Sequence, residues 1–263
     1  MMSLTFSKYQ GTGNDFILID NRVSSFSLNR EQIAGLCHRR FGVGADGLIL
    51  LNAHPDYDFQ MINYNSDGGE CSMCGNGGRS LVQFAFDLGI KKEHYRFLAV
   101  DGEHQANLKE GRVELKMQNV TQIKKTELGI ALNTGSPHLV IFKTDVENLD
   151  VRKEGEILRH ADLFKPDGIN VNFIEVRENS VLLRTFERGV EDETLSCGTG
   201  AIASAIVSKL SDTKNGQSHE LITESPGGRL TIRFKRVAEN QFDDIWLIGE
   251  AKKVFTGLVE NHL

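Results

Sequence analysis

The sequence predicts an α/β (α+β) fold of two pseudo-symmetric halves, each a mostly antiparallel β-barrel around a central helix. Three observations carry that prediction. A short cysteine–glycine stretch occurs twice, as Cys74-Gly75-Asn76-Gly77 and Cys197-Gly198-Thr199-Gly200. Each copy follows a polar, acidic loop and precedes an apolar run, Leu81–Phe86 or Ala201–Val207, which reads as a helix apolar on nearly every side and so buried all round. The flanking segments also repeat in order: Asn14 lies 60 residues before Cys74, and Ser136 lies 61 before Cys197. The halves are expected at 1–118 (completed by 252–263) and 119–251, with small-ligand chemistry in a cleft between them.

The elements follow from pattern and punctuation. Phe6–Tyr9 and Phe16–Asp20 read as strands split by the loop Gly11-Thr12-Gly13-Asn14-Asp15. Asn29 is placed to cap a helix running through Arg40, with Ile33, Leu36 and Cys37 on one side. Cys37 there reads as a core filler. Gly42–Gly47 is a turn feeding the strand Leu48–Leu51, and the alternating Phe59–Tyr64 delivers Asn65-Ser66-Asp67-Gly68 and then the first cysteine stretch. The helix after Cys74 stops at Gly89, a C′ glycine. Strands at 96–100, 103–108 and 113–117 turn at Asp101-Gly102 and Glu110-Gly111. The pattern weakens over 119–132, read as the crossover. Asn133–His138 then precedes the strand Leu139–Phe142, followed by a helical stretch Val146–His160, a turn at 165–168, and strands at 171–176 and 181–187 before Cys197. Further strands are expected at 220–223, 230–234 and 245–248.

Composition bounds the partners. The chain has 263 residues and a formal net charge of −6 with both signs interspersed, which argues against nucleic acid as the main partner. No apolar run approaches a membrane span, and Met1–Phe6 shows no basic segment followed by an apolar one, so no secretory signal is expected. Four cysteines, at 37, 71, 74 and 197, do not make the dense framework of a secreted mini-domain, so a reducing cytoplasm is expected. Cys71-Ser72-Met73-Cys74 has CxxC spacing, but a zinc site needs two further ligands, and no second CxxC or HxxxH exists.

A helix start presents unpaired N–H groups and partial positive charge, and flanking glycines let a ligand reach that backbone. A cysteine there gains a stabilised thiolate. Two such starts suit one small carboxylate held between two thiols. The chemistry this fits is removal of the α-proton of an amino acid: N–H donors on the carboxylate stabilise the developing dianion, one thiolate takes the proton, and the opposite thiol returns one. No Walker sequence or HExxH is present, and no cofactor or metal is expected.

Six stretches, Gly11-Thr12-Gly13-Asn14-Asp15-Phe16, Asn65-Ser66-Asp67-Gly68, Met73-Cys74-Gly75-Asn76-Gly77, Ser136-Pro137-His138, Glu187-Arg188-Gly189 and Cys197-Gly198-Thr199-Gly200, together resemble the diaminopimelate epimerase family, in order and over essentially the whole chain. The resemblance implies an isomerase of that fold, acting without pyridoxal or any other cofactor. It would convert LL-2,6-diaminopimelate to the meso isomer for lysine and peptidoglycan precursors, as a cytoplasmic homodimer. It implies Cys74 and Cys197 as the acid/base pair. The N–H groups of Gly75, Asn76, Gly198 and Thr199 would hold the reacting carboxylate. Asn14, Asn65, Asn170, Glu187 and Arg188 would bind the distal end, with Arg188 on its carboxylate, while His138 and Glu187 would tune the thiols.

The chain departs from the family pattern in places. Gly47 stands where several members carry a ligand-contacting glutamine, Ser136 where many have asparagine, and Ser80 where a cysteine is common; Cys71 has no assigned role. Two other readings compete: a related two-cysteine racemase of proline, hydroxyproline or histidine, and a redox or zinc-binding protein built on the CxxC. Arg188 and the asparagines favour a ligand with a second charged end over the first. The second leaves Cys197 and its loop unexplained.

Overall fold

The computed structural model describes residues 3–23 and 27–260. The opening Met1-Met2, read above for a signal, and 261–263 of the segment expected to complete the first half lie outside them. The chain divides into two compact units, 1–115 with 249–263, and 116–248. Both are sheet-dominated mixed α/β structures, and they share one ladder plan.

In the first unit the elements are β1 (Ser3–Gly11), β2 (Asn14–Asp20), α1 (Arg30–Cys37), β3 (Gly47–Asn52), β4 (Phe59–Asn65), β5 (Glu70–Cys71), α2 (Gly75–Asp87), β6 (His94–Ala99), β7 (Gly102–Lys109) and β8 (Arg112–Lys116). Strand β1 pairs β2 antiparallel, β2 pairs β3 parallel, and β3 pairs β4 antiparallel. Strand β4 pairs β6 in parallel, and β6, β7 and β8 form a meander. The parallel pairs are the ones whose crossovers contain the helices, α1 between β2 and β3 and α2 between β4 and β6.

The second unit repeats the plan with β9 (Ile123–Thr126), β10 (Gly129–Asn133), β11 (Pro137–Phe142), α3 (Val151–Arg159), β12 (Asn170–Val176), β13 (Ser180–Glu187), β14 (Asp192–Thr194), α4 (Gly198–Ser208), β15 (Ser218–Ser225), β16 (Gly228–Ala238) and β17 (Gln241–Glu250). Its parallel pairs are β11 with β12 and β13 with β15, again around α3 and α4. The last strand, β18 (Lys252–Glu260), returns to the first unit and pairs β1 antiparallel, as β9 pairs β10 in the second.

Each sheet is covered on both faces. One face curls around a central helix: α2 touches β1, β2, β3, β7 and β18, and α4 touches β10, β11, β12, β13, β15 and β16. On the other face of the first unit, Ile33, Leu36 and Cys37 of α1 pack with Leu4, Phe6, Ile17, Ile19, Leu48 and Leu50. In the second, Val151 of α3 packs with Leu139, Val171, Phe173 and Phe186. Burial on both faces is why β2 and β3 read as continuous apolar runs.

Local chemistry sets the helix bounds. Asn29 caps α1 in a reciprocal capping box with Gln32, each side chain bonding the other's backbone at 2.9 Å. The helix stops at Cys37, not Arg40, because the chain wraps back onto its C-terminus. Gly42 N–H bonds the His38 carbonyl, Gly44 N–H that of Leu36, and Ala45 N–H that of Cys37. Gly42–Gly47 has G-x-G-x-x-G spacing, yet it leads from a helix into a strand, the reverse of the dinucleotide-binding order.

The stretch Val146–His160 is not one helix. A 3₁₀ turn at Val146–Asn148 ends before Asp150, whose side chain accepts from Lys153 N–H at 3.1 Å and starts α3 afresh. The weak stretch 119–132 holds the β9–β10 hairpin, whose mostly exposed edge strand gives no burial alternation to read. No helix among the described residues is long and apolar enough to cross a membrane.

Two glycines test the packing. A Cβ on Gly155 would meet Phe186 Cβ at 2.4 Å, whereas one on Gly35 of α1 meets nothing within 4 Å. Gly155→Ala should destabilise by about 1–3 kcal/mol through overpacking. Gly35→Ala should stabilise by about 0.5–1 kcal/mol through helix propensity. Urea denaturation midpoints check both, and equal shifts would contradict the α3–β13 packing.

Candidate active site

Both central helices are capped by the cysteine that precedes them. Cys74 has extended backbone (φ −103°, ψ 146°), and its Sγ accepts from Gly77 N–H at 3.1 Å. Cys197 (φ −117°, ψ 110°) accepts from Gly200 N–H at 3.4 Å. A sulfur in the Ncap position receives N–H donors that the helix cannot satisfy itself, at the positive end of its dipole, and both effects favour the anion. The third residue after each cysteine is glycine for a steric reason. A Cβ on Gly77 would lie 3.1 Å from Ile49 Cδ1 and 3.3 Å from Cys74 Sγ, and one on Gly200 only 2.5 Å from Asn172 Oδ1.

Around Cys74 the first unit gathers Asn14, Gly75 and Asn76. Buried Asn76 donates from Nδ2 to Asn14 Oδ1 at 3.2 Å, and Asn14 Nδ2 donates to Asp46 Oδ2 at 2.8 Å. Asp46 is held by Arg39 at 2.7 Å, and Arg39 also grips Asp15 at 2.8 Å. Burial would raise the Asp15 carboxyl, but Arg39 and Lys8 together pull it well below the usual carboxylate range. Asn14 is therefore fixed from both sides. Asn65 ends β4 opposite Gly47 in the ladder, with an exposed side chain. Gly47 is itself constrained: a Cβ there would meet the Tyr64 carbonyl at 2.6 Å.

Sequence reading missed Arg79. It lies in α2, which is therefore not apolar all round, and its side chain is wholly buried. Its guanidinium donates to the Gly75 carbonyl at 3.1 Å and to Asn76 Oδ1 at 2.9 Å, so one buried cation braces the turn that follows Cys74. Burial pushes it down to about 10, and negative charge on Cys74 opposes that fall. The legible signal was an Arg three residues after an Asn and four after a Gly on one helix face. Ser80 beside it is also fully buried.

Around Cys197 the second unit gathers Thr199 and His138. Thr199 Oγ1 lies 3.5 Å from Cys197 Sγ and 2.8 Å from His138 Nε2, and the Thr199 carbonyl accepts from Thr134 Oγ1 at 2.7 Å. Burial pushes His138 down to about 3, aided by the Arg188 charge, so the ring is neutral at working pH. A further residue that sequence reading missed, buried Asn172, bonds His138 Nδ1 at 3.0 Å.

Asn170, Glu187 and Arg188 cluster at the ends of β12 and β13. Asn170 donates to Ser136 Oγ and to the Pro137 carbonyl, each at 2.9 Å, and accepts from Arg188 N–H at 2.8 Å. Ser136 thus has a defined partner in this chain. Glu187 accepts from Thr194 Oγ1 at 2.9 Å. Arg188 is half-buried, and no ion pair among the described residues involves it. Its guanidinium is available to a carboxylate ligand.

No disulfide joins any of the four cysteines, all of which are among the described residues. Among the described residues no group of three or more His, Cys, Asp and Glu side chains could hold a metal ion. Cys71 instead bonds Asn63: its Sγ receives the Asn63 amide at 3.2 Å and faces the Asn63 carbonyl at 3.6 Å.

The family model for diaminopimelate epimerase matches residues 6–127 and 130–254. The chain is 48% identical over 252 residues to the diaminopimelate epimerase of Flavobacterium psychrophilum, covering 94% of this chain and 97% of that one. It is 42% identical over 259 residues to that of Chlorobaculum tepidum, covering 95% and 98%. In structure it is similar to a Bacillus anthracis phenazine biosynthesis protein of the PhzF family, with a TM-score of 0.77 over 98% of this chain and 99% of that one. At 16% identity that last likeness is one of fold alone.

The cysteines separate into two classes by environment. Burial pushes the Cys37 thiol up to about 11 and the Cys71 thiol up to about 12, so both stay protonated through neutral pH. Iodoacetamide at pH 8 should therefore modify Cys74 at least ~10-fold faster than Cys37 or Cys71. Peptide mass spectrometry over a time course reads this, and equal rates for the three would contradict the helix-start stabilisation.

Proposed function

The chain belongs to the diaminopimelate epimerase family, and on that premise we propose that it inverts one α-carbon of LL-2,6-diaminopimelate to give the meso isomer without a cofactor. The observation that carries this is the pair of N-cap cysteines, each with its sulfur on the N–H of a glycine three residues on. The reading requires both thiols to reach one α-carbon from opposite faces. One thiolate takes the α-proton and becomes a thiol. The other thiol delivers its proton to the carbanion and becomes a thiolate, so charge and protons balance across the step.

The carbanion is the difficult species, because its charge spreads into a carboxylate that is already negative. The N–H groups of Gly75, Asn76, Gly198 and Thr199 would face that carboxylate, donors already oriented by the two helix starts. Asn14, Asn65, Asn170, Glu187 and Arg188 would take the distal amino-acid end. The double support of Asn14 and the unpaired Arg188 guanidinium favour these roles. His138 and Glu187 would tune the thiols, His138 through Thr199. A role in lysine and peptidoglycan precursor supply, a cytoplasmic location and a homodimeric assembly belong to the same proposal.

Two thiols leave an isotopic signature. In heavy water, product formed early from LL-substrate should carry solvent deuterium at the inverted carbon while recovered substrate stays largely unlabelled. Cys74→Ala and Cys197→Ala should each lower epimerisation by ~10²-fold or more, since neither face can be served by the other thiol. Substantial turnover in either variant, or early product without deuterium, would falsify the two-thiol reading.

Arg188→Lys tests the distal end. A guanidinium grips a carboxylate through two parallel hydrogen bonds, whereas an ammonium acts as a point charge. The change should cost about 2 kcal/mol or more in kcat/KM. Wild-type kinetics in that variant would remove Arg188 from the site.

A further inference from the structure

We propose that Asn172 is a positioning residue for Cys197: its amide fixes His138 as the Nε2–H tautomer, so that a one-way hydrogen-bond chain ends with the Thr199 hydroxyl donating to the Cys197 sulfur. The direction follows from one atom. Asn172 Nδ2 lies 3.1 Å from the Leu139 carbonyl, which can only accept, so the amide nitrogen faces that side. The amide oxygen is left to accept from Thr185 Oγ1 at 3.0 Å. The second Nδ2 hydrogen points at His138 Nδ1, 3.0 Å away, and that ring atom is then the acceptor.

A neutral imidazole that accepts at Nδ1 carries its proton on Nε2. Nε2 is 2.8 Å from Thr199 Oγ1, which must accept from it. The Thr199 hydroxyl hydrogen is then free to turn to Cys197 Sγ at 3.5 Å, where the Gly200 N–H already converges at 3.4 Å. Reversing the chain would set the Asn172 N–H against a ring N–H in a fully buried site. Asn172 and His138 are both 0% exposed and Thr185 is 2% exposed, so an unmatched donor pair there is costly. Gly200 belongs to the same device, because any side chain at that position would displace Asn172 Oδ1.

His138 is consequently not the base that takes the Cys197 proton. One ring nitrogen holds a proton and the other is occupied by Asn172. The ring acts as an oriented donor, and what reaches the sulfur is a hydroxyl hydrogen that favours thiolate over thiol. The functional consequence rests on the reading of Cys197 as a reacting thiol; the hydrogen-bond polarity does not.

The test is made on the full chain without substrate. Nitrogen-15 imidazole spectra should show His138 as the Nε2–H tautomer, unchanged between about pH 5 and 8. A proton on Nδ1, or a ring that titrates in that range, overturns the proposal. Asn172→Asp keeps the shape but replaces the donor by an acceptor, and should move a proton onto Nδ1. Retention of the wild-type spectrum in that variant also overturns it.

Thr199→Val removes only the relaying hydroxyl. It should slow alkylation of Cys197 about tenfold relative to Cys74 in the same sample, with the His138 tautomer preserved. An unchanged ratio overturns the last link even if Asn172→Asp fails to fold. Since neither readout uses turnover, an inactive wild-type chain would sink the proposed function and leave these results to be judged on their own.

Discussion

A helix that begins inside a protein brings N–H groups with no partner in its own ladder, and in this chain both central helices begin that way. The cysteine sulfurs answer part of that need, taking the Gly77 and Gly200 N–H groups. What stabilises the helix start also stabilises negative charge on sulfur, so folding and reactivity share one interaction. Glycine is required beside it because Ile49 and Asn172 pack directly against the first turns. The sheet curls around the helices, and the capping loops have to arrive where the helix starts are.

The same motif is braced in two different ways. In the first unit a buried cation, Arg79, holds Asn76 and the Gly75 carbonyl. In the second a neutral relay through His138 and Thr199 leads to the sulfur. The two units therefore share backbone and cap but differ in the supporting chemistry. A charge acts on any anion nearby, whereas a relay acts only on the atom at its end. The two thiols consequently sit in unlike surroundings although their local sequences match.

Covering each sheet on both faces explains what the remaining cysteines do. Cys37 lies under α1 among aliphatic side chains, and Cys71 is tied to Asn63 at the strand before the cap. Burial raises both thiols, which separates them from the two at helix starts without any difference in residue type. CxxC spacing by itself does not decide what these thiols do, since reactivity follows environment.

The sequence by itself determined the repeated cap, the order of elements around it and the burial of the central helices. Those features depend on glycine, on apolar runs and on fixed spacing, all of which are local. It also carried the Asn29 capping box, because that bond spans only three residues. It misread the end of α1, the break at Asp150 and the β9–β10 hairpin, where return bonds, a single cap or an exposed edge outweighed periodicity. Arg79 and Asn172 were missed as functional groups for a deeper reason. Their partners lie on neighbouring turns and strands, and a polar side chain among apolar ones declares its role only when burial forces every donor to find an acceptor. That accounting exists only in three dimensions, so the tertiary structure alone decided which residues support each sulfur.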